Sequence, residues 1–429
     1  MAAFLSDHLS NVISQLTTFR NTVDSDKRRN LLTALRQAEQ EAKEKGITIS
    51  ASASPAAVAA QIGQLEAGDA VAEAMGIREI AGTADYEYFD RHWIESALNY
   101  YQTGKNRVPF PTAKGAVNPL KQLVNEREIR IAIAGDWGTG TDPVDKYPYA
   151  VAGKIAKLMA DQKPHYTIHL GDVYYSGLES EETAKFVGRW PGGSIGSYTL
   201  NSNHEMYCGG KGYFNVLLAN EMFKAQQGLS YFALTNDSWL IVGLDSAYFA
   251  YYQSLLYEQG TLFEPDAGKQ PDGMVQSQWL AGLLKENAHK RVIILTHHDG
   301  FDVQPVTGKV SRKPLYQQVT AQMATVHDWW WYWGHVHGVI AYERIFFDNN
   351  AAVTARCIGH GAIPYLPFPP DLSHLGDGTV RVQWVETDLA RNGGDLRRAP
   401  NGYLLLTLTG AELHEQLFDE LGRTRWSNF

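Results

Sequence analysis

Apolar positions in the first part of the chain recur at helical spacing. Leu9, Val12, Ile13, Leu16 and Phe19 fall on one face, as the 3.6-residue period of an amphipathic helix requires. Residues 27–45 continue as a charged helix that Gly46 can end. Ser54 followed by Pro55 supplies a cap and a first-turn proline, with Val58, Ile62 and Leu65 on the face behind it. A last helix is expected from Asp85 to Thr103, with Phe89, Trp93, Ile94, Leu98 and Tyr101 inward and Gly104 at its end. The pattern predicts an all-helical region over 1–125, acting as a cap or interaction layer. Its end, 105–127, carries three prolines and several basic residues and reads as a linker.

From about Glu128 the texture changes to short apolar runs that stop at polar, glycine-containing segments. Arg130 to Ala134 ends in Gly135-Asp136-Trp137-Gly138, and His165 to Leu170 ends in Gly171-Asp172. Ser197 to Leu200 leads to Asn203-His204-Glu205, Trp239 to Leu244 to Asp245-Ser246, and Arg291 to Leu295 to Thr296-His297-His298. Trp329 to Trp333 leads to Gly334-His335-Val336-His337. Helical patterns, Ala150 to Ala160 and Ser277 to Ala288, lie between some of these runs. Strands alternating with helices predict an α/β sheet, here a second domain over 126–429. Tyr403 to Leu408 and Leu413 to Phe418, around Gly410, read as a closing strand pair.

Polar residues just past strand C-termini are where such sheets place ligand chemistry. Asp136, Asp172, Asn203, His297, His335 and His337 are oxygen and imidazole donors, and Tyr175 follows Asp172 by three residues. One carboxylate can bridge two cations and the other donors can divide between them, an arrangement suited to displacement at phosphorus. A single Gly-Asp or His after a strand is ordinarily a turn or core residue; the weight rests on five motifs in a fixed order.

That order resembles the calcineurin-like metallophosphoesterases, and more closely the purple acid phosphatases, over roughly 128–420. The first motif lacks the Asp-x-His found in many members of the superfamily, and the tyrosine of the second motif is its counterpart. The resemblance implies a two-sheet sandwich flanked by helices. It implies one metal held by Asp136, Asp172, Tyr175 and His337, and another by Asp172, Asn203, His297 and His335. It implies Fe³⁺ at the tyrosine site and Zn²⁺, Fe²⁺ or Mn²⁺ at the other, matching a hard phenolate to a trivalent ion. It implies hydrolysis of phosphate monoesters by a metal-activated hydroxide. His204 and His298 are the candidate proton donors, and Glu205 is the candidate carboxylate orienting His204. In this reading Ser202 stands where the family's motif has glycine, Tyr174 and Asp245 are structural, and His360 is a candidate for the pocket rim. Two other functions are kept: a phosphodiesterase on nucleotides or other diesters, and a partner-binding module with a silent metal centre.

Composition narrows the partners. The net charge is −9 with no long basic run, so a long nucleic acid is not expected as a ligand. A small phosphorylated substrate remains compatible, because bound cations reverse the local sign. Cys208 and Cys357 are the two cysteines and are expected to be free thiols. With no leader and no long apolar run, a cytoplasmic protein without membrane contact is expected, and the helical region is a candidate surface for homo-oligomerisation. The run Trp329-Trp330-Trp331-Tyr332-Trp333 is expected to be a strand buried on both faces.

Overall fold

The computed structural model describes residues 106–428 apart from 114–116, 142–148, 251–256, 263–275, 304–308, 348–350, 366, 369–375 and 391–397, together with Asp85, Tyr86, His92, Ser96, Asn99, Tyr100 and Thr103. The helices expected over 9–19, 27–45 and 55–65 lie outside the described residues. Of the helix expected over 85–103, His92, Ser96, Asn99, Tyr100 and Thr103 are helical; its five expected inward residues lie outside the described set.

Two sheets make the core. A six-stranded sheet runs in the order Thr424–Ser427, Glu412–Asp419, Gly402–Thr409, Glu128–Ala134, Tyr166–His169, Gly196–Thr199. A nine-stranded sheet runs Leu120–Gln122, Phe232–Thr235, Trp239–Leu244, Arg291–Thr296, Asp328–Trp333, Ala352–Ile358, Val339–Tyr342, Val382–Val385, with Ile345–Phe346 pairing Ala352–Ile358. The segment expected to be a linker thus contains an edge strand, because Leu120–Gln122 pairs in parallel with Phe232–Thr235.

Strand alternation divides the side chains among three apolar layers. Ile129, Ile131, Ile133, Leu404 and Leu406 face the space between the sheets. Ala132, Ala134, Tyr403 and Leu405 face outward against the helix Tyr149–Asp161. Trp329, Trp331 and Trp333 join Trp279, Leu280, Leu315 and Val319, from the helices Gln276–Glu286 and Pro314–Gln322, on the far face of the larger sheet. Tyr332 and Trp330 point the other way, between the sheets. The tryptophan run is therefore a strand with two apolar faces, as a central parallel strand requires. Both cysteines are free and buried.

One buried ion pair ties the sheets together. Arg356 donates to Glu415 from Nε at 3.0 Å and Nη2 at 3.1 Å, and Tyr332 Oη donates to the same carboxylate at 2.9 Å. Glu415→Ala leaves a guanidinium with 4% side-chain exposure uncompensated. The expected loss is about 3–5 kcal/mol, read from urea unfolding. Replacing both partners by Met and Leu should recover most of it; a loss under about 1 kcal/mol from the single substitution would contradict this role.

Candidate metal centre

The strands that carry the candidate donors are parallel within each sheet. Glu128–Ala134 pairs Tyr166–His169, which pairs Gly196–Thr199. In the other sheet Trp239–Leu244, Arg291–Thr296, Asp328–Trp333 and Ala352–Ile358 follow one another. All their C-terminal loops therefore open at one shared edge. Backbone bonds stitch these loops together, across the two sheets from Gly135 N to Ile358 O at 3.3 Å, and between neighbouring strands of each sheet from Asp136 N to Gly171 O at 3.1 Å and from Gly334 N to His297 O at 3.0 Å.

Close approach explains two of the glycines. A Cβ at Gly171, where φ is +105°, would stand 2.7 Å from Ser202 Cβ and 2.9 Å from His297 Nδ1. A Cβ at Gly334 would stand 2.5 Å from Asp136 Oδ2. Asp136, Asp172 and His335 themselves adopt positive φ of 59°, 78° and 62°. Non-glycine residues enter this region at a cost and do so mostly where surrounding contacts impose it, often at functional sites.

The result is a compact donor cluster. Donor atoms of Asp136, Asp172 and His297 lie within 4.8 Å of one another, as do ring nitrogens of His297, His298 and His335. Asp172 is central: Oδ1 lies 3.3 Å from His297 Nε2 and Oδ2 accepts from Tyr174 Oη at 2.8 Å. His297 Nε2 is also 2.8 Å from Asn203 Oδ1. Asp136 Oδ2 accepts from His335 N at 2.9 Å, and its Oδ1 is 3.6 Å from His337 Nε2.

Electrostatics in the cluster favour a cation. Burial, then the Asp172 charge, push the Asp136 carboxyl well above its usual range. At Asp172 burial is more than offset by His204, His297, the Ser202 hydroxyl and His335, which hold it well below the usual range. Two buried carboxylates this close do not both ionise without positive charge between them. Burial pulls His297 and His335 below the ordinary imidazole range despite Asp172, toward the neutral form a metal needs.

Expected roles change in the fold at the two tyrosines, Glu205, His298 and His360. Tyr175 does not face the cluster: its Oη accepts from Tyr86 N at 3.2 Å, and its ring stacks on Tyr86 at 4.5 Å. Tyr174 Oη takes that place, 2.8 Å from Asp172 Oδ2, 3.3 Å from Asp136 Oδ1 and 3.2 Å from His337 Nε2. The reason is the tight turn after Asp172, whose Val173 amide is tied to Glu205 at 3.1 Å, so a tyrosine two residues on reaches the centre.

Glu205 therefore holds the turn rather than His204. It accepts from the amides of Asp172 and Val173 and from the Ser202 hydroxyl. His298 has both ring nitrogens engaged, with Ser246 Oγ at 2.9 Å and Tyr257 O at 2.7 Å. It is fully buried and is poorly placed to protonate a leaving group.

His204 lies at the cluster: Nδ1 is 2.6 Å from Tyr175 O, and Nε2 is 3.9 Å from Asp172 Oδ2. Ser202, which stands where the resemblance has glycine, caps the short helix Asn203–Met206, and its hydroxyl bridges the carboxyls of Asp172 and Glu205. Asp245 accepts from Asn201 and from the amides of Ala247 and Tyr248, a structural role. His360 is buried against Tyr365 and is not on a rim. Sequence reasoning missed Tyr207 and Glu258, both adjacent to the cluster; neither stands in a glycine-bounded motif that would mark it.

Residues 129–339 match the family model of the calcineurin-like phosphoesterases, and this region of the chain belongs to that family. No curated protein matches it. Among solved structures it is similar to the GAP50 anchor of the inner membrane complex of Plasmodium, at 13% identity and TM-score 0.44, over 70% of this chain and 88% of that one. It is also similar to a phosphoesterase predicted for Streptococcus pneumoniae, at 9% identity and TM-score 0.27, over 70% and 96%. The family match supports metal-dependent phosphate ester hydrolysis. Among the described residues no helix is long and apolar enough to cross a membrane.

Proposed function

We propose that this protein is a two-metal phosphoesterase that hydrolyses small phosphate monoesters. Asp136, Asp172, Tyr174 and His337 would hold one cation, and Asp172, Asn203, His297 and His335 the other. The observation that carries this reading is the convergence of all these groups around the buried Asp172 carboxylate. A phenol beside two carboxylates suits Fe³⁺, and imidazole with an amide oxygen suits Zn²⁺, Fe²⁺ or Mn²⁺. Bound there, the cations would polarise the phosphoryl oxygens and activate water.

The chain's own residues do the rest. Asp172 sets the spacing between the two donor groups. His204 gives its Nδ1 proton to Tyr175 O, which leaves Nε2 directed at the reacting side. From Nε2 it can donate a proton to a departing alkoxide. Residues 126–429 form the catalytic domain in this reading, and 1–125 precede it, with Tyr86, Ser96 and Asn99 bonded to the turn at Tyr175 and Ser176.

The test is hydrolysis of an aryl phosphate monoester beside its matching diester, after reconstitution with iron plus zinc or manganese, from acid to neutral pH. Monoester turnover well above diester is the expected result. Diester preference would move the substrate class to nucleotides and other diesters, and no turnover with both metals bound would overturn the enzymatic reading.

A further inference from the structure

Resting on that reading, we propose that Tyr207 and Glu258 are positioning residues for the tyrosine-free cation site, fixing by a hydrogen-bond relay which end of the Asn203 amide faces the cation. Asn203 Nδ2 donates to Tyr207 Oη at 3.0 Å, and Tyr207 Oη donates to Glu258 Oε1 at 3.2 Å. Asn203 Oδ1 then points to the His297 side, 2.8 Å from Nε2.

The direction of the relay follows from counting protons. A phenol has one proton to donate. That proton goes to Glu258 Oε1, 3.2 Å away. The phenol oxygen is then left as an acceptor toward Asn203, and only the NH₂ end of the amide satisfies it. The other end, the oxygen, is the end a cation binds. A flipped amide would present NH₂ to the cation and set two acceptors against each other at Tyr207. Glu258 Oε2 also lies 3.8 Å from His335 Nε2, so one carboxyl reaches two donors of the same site, His335 directly and Asn203 through Tyr207.

The N-terminal region braces the relay. Tyr100 meets Tyr207 edge-on at 6.4 Å and Tyr257, the neighbour of Glu258, at 5.6 Å. Thr103 Oγ1 donates to Tyr207 O at 3.2 Å. The His204 ring lies 4.8 Å from the Tyr207 ring on the cluster side. The ring is thus held between the helix and the site, and its hydroxyl has one direction to point.

The experiment uses the full-length protein reconstituted with iron and zinc. Zinc affinity is measured by competition with a chromophoric chelator, and the visible iron–phenolate band reports the other site. Tyr207→Phe keeps the ring packing and should weaken zinc binding about 10–100-fold with the band unchanged. Glu258→Gln should weaken it less, since the new side chain keeps an acceptor oxygen.

In an Asn203→Asp background the carboxylate has no wrong end, so adding Tyr207→Phe should change zinc affinity by less than about threefold. An unaltered zinc affinity in Tyr207→Phe would overturn the relay. So would an equal loss in both backgrounds, which would mark Tyr207 as packing alone. Wild-type protein that takes up fewer than two metals would instead overturn the two-metal reading on which the relay rests.

Discussion

Asp172→Ala is expected to lower kcat/KM for a phosphate monoester by at least about 10³-fold. The carboxylate is the common member of both proposed cation sites, adjoining His297 on one oxygen and Tyr174 on the other. Its loss leaves each site one anionic donor short and removes the charge that draws His204 Nε2 toward the centre. Folding should not suffer in proportion. In metal-free protein Asp172 and Asp136 oppose one another, and the Asp172 charge raises the Asp136 carboxyl. Despite its burial, Asp172 is nevertheless held well below its usual range by His204, His297, Ser202 and His335, so the metal-free variant should melt somewhat lower than metal-free wild type, while wild type alone gains stability when metals are added. Turnover unchanged in Asp172→Ala would remove this cluster from the chemistry altogether.

Tyr174→Phe should abolish the broad visible absorption of the iron-loaded protein, and Tyr175→Phe should leave it intact. Only the Tyr174 oxygen lies among the donors, 2.8 Å from Asp172 and 3.3 Å from Asp136. Burial and these two carboxylates push its phenol well above its ordinary range, so ionisation to phenolate requires a cation beside it. The Tyr175 hydroxyl accepts from the Tyr86 amide, and its loss should cost about 1 kcal/mol of stability. Absorbance spectra of the two iron-loaded variants decide the matter. A band that survives Tyr174→Phe and vanishes in Tyr175→Phe would reverse the assignment.

The contrast between these tyrosines shows how far sequence reading reaches. Counting residues from Asp172 selects Tyr175, because the interval of three is what the resemblance implies. The chain turns tightly there: Asp172 has positive φ, and Glu205 from another loop holds the Asp172 and Val173 amides. Nothing within residues 171–175 announces that clamp. The strand Ala352–Ile358 went unread for a similar reason. Arg356 breaks its apolar run, and only Glu415, from the opposite sheet, makes a buried guanidinium acceptable there.

By itself the sequence determined the α/β class, the strands Glu128–Ala134, Arg291–Thr296 and Asp328–Trp333, and the gathering of acids, amide and imidazoles at one sheet edge. These depend on period and on glycine punctuation, which are local properties that survive without knowledge of neighbours. Only the tertiary structure decided that Tyr174 faces the centre, that Glu205 serves the turn, that His298 is sequestered by Ser246 and Tyr257, and that Tyr207 and Glu258 stand behind Asn203. Each of these is settled by a hydrogen-bond partner dozens of residues away, or by a turn whose backbone such a partner holds, and a linear pattern carries no record of which distant donor meets which acceptor.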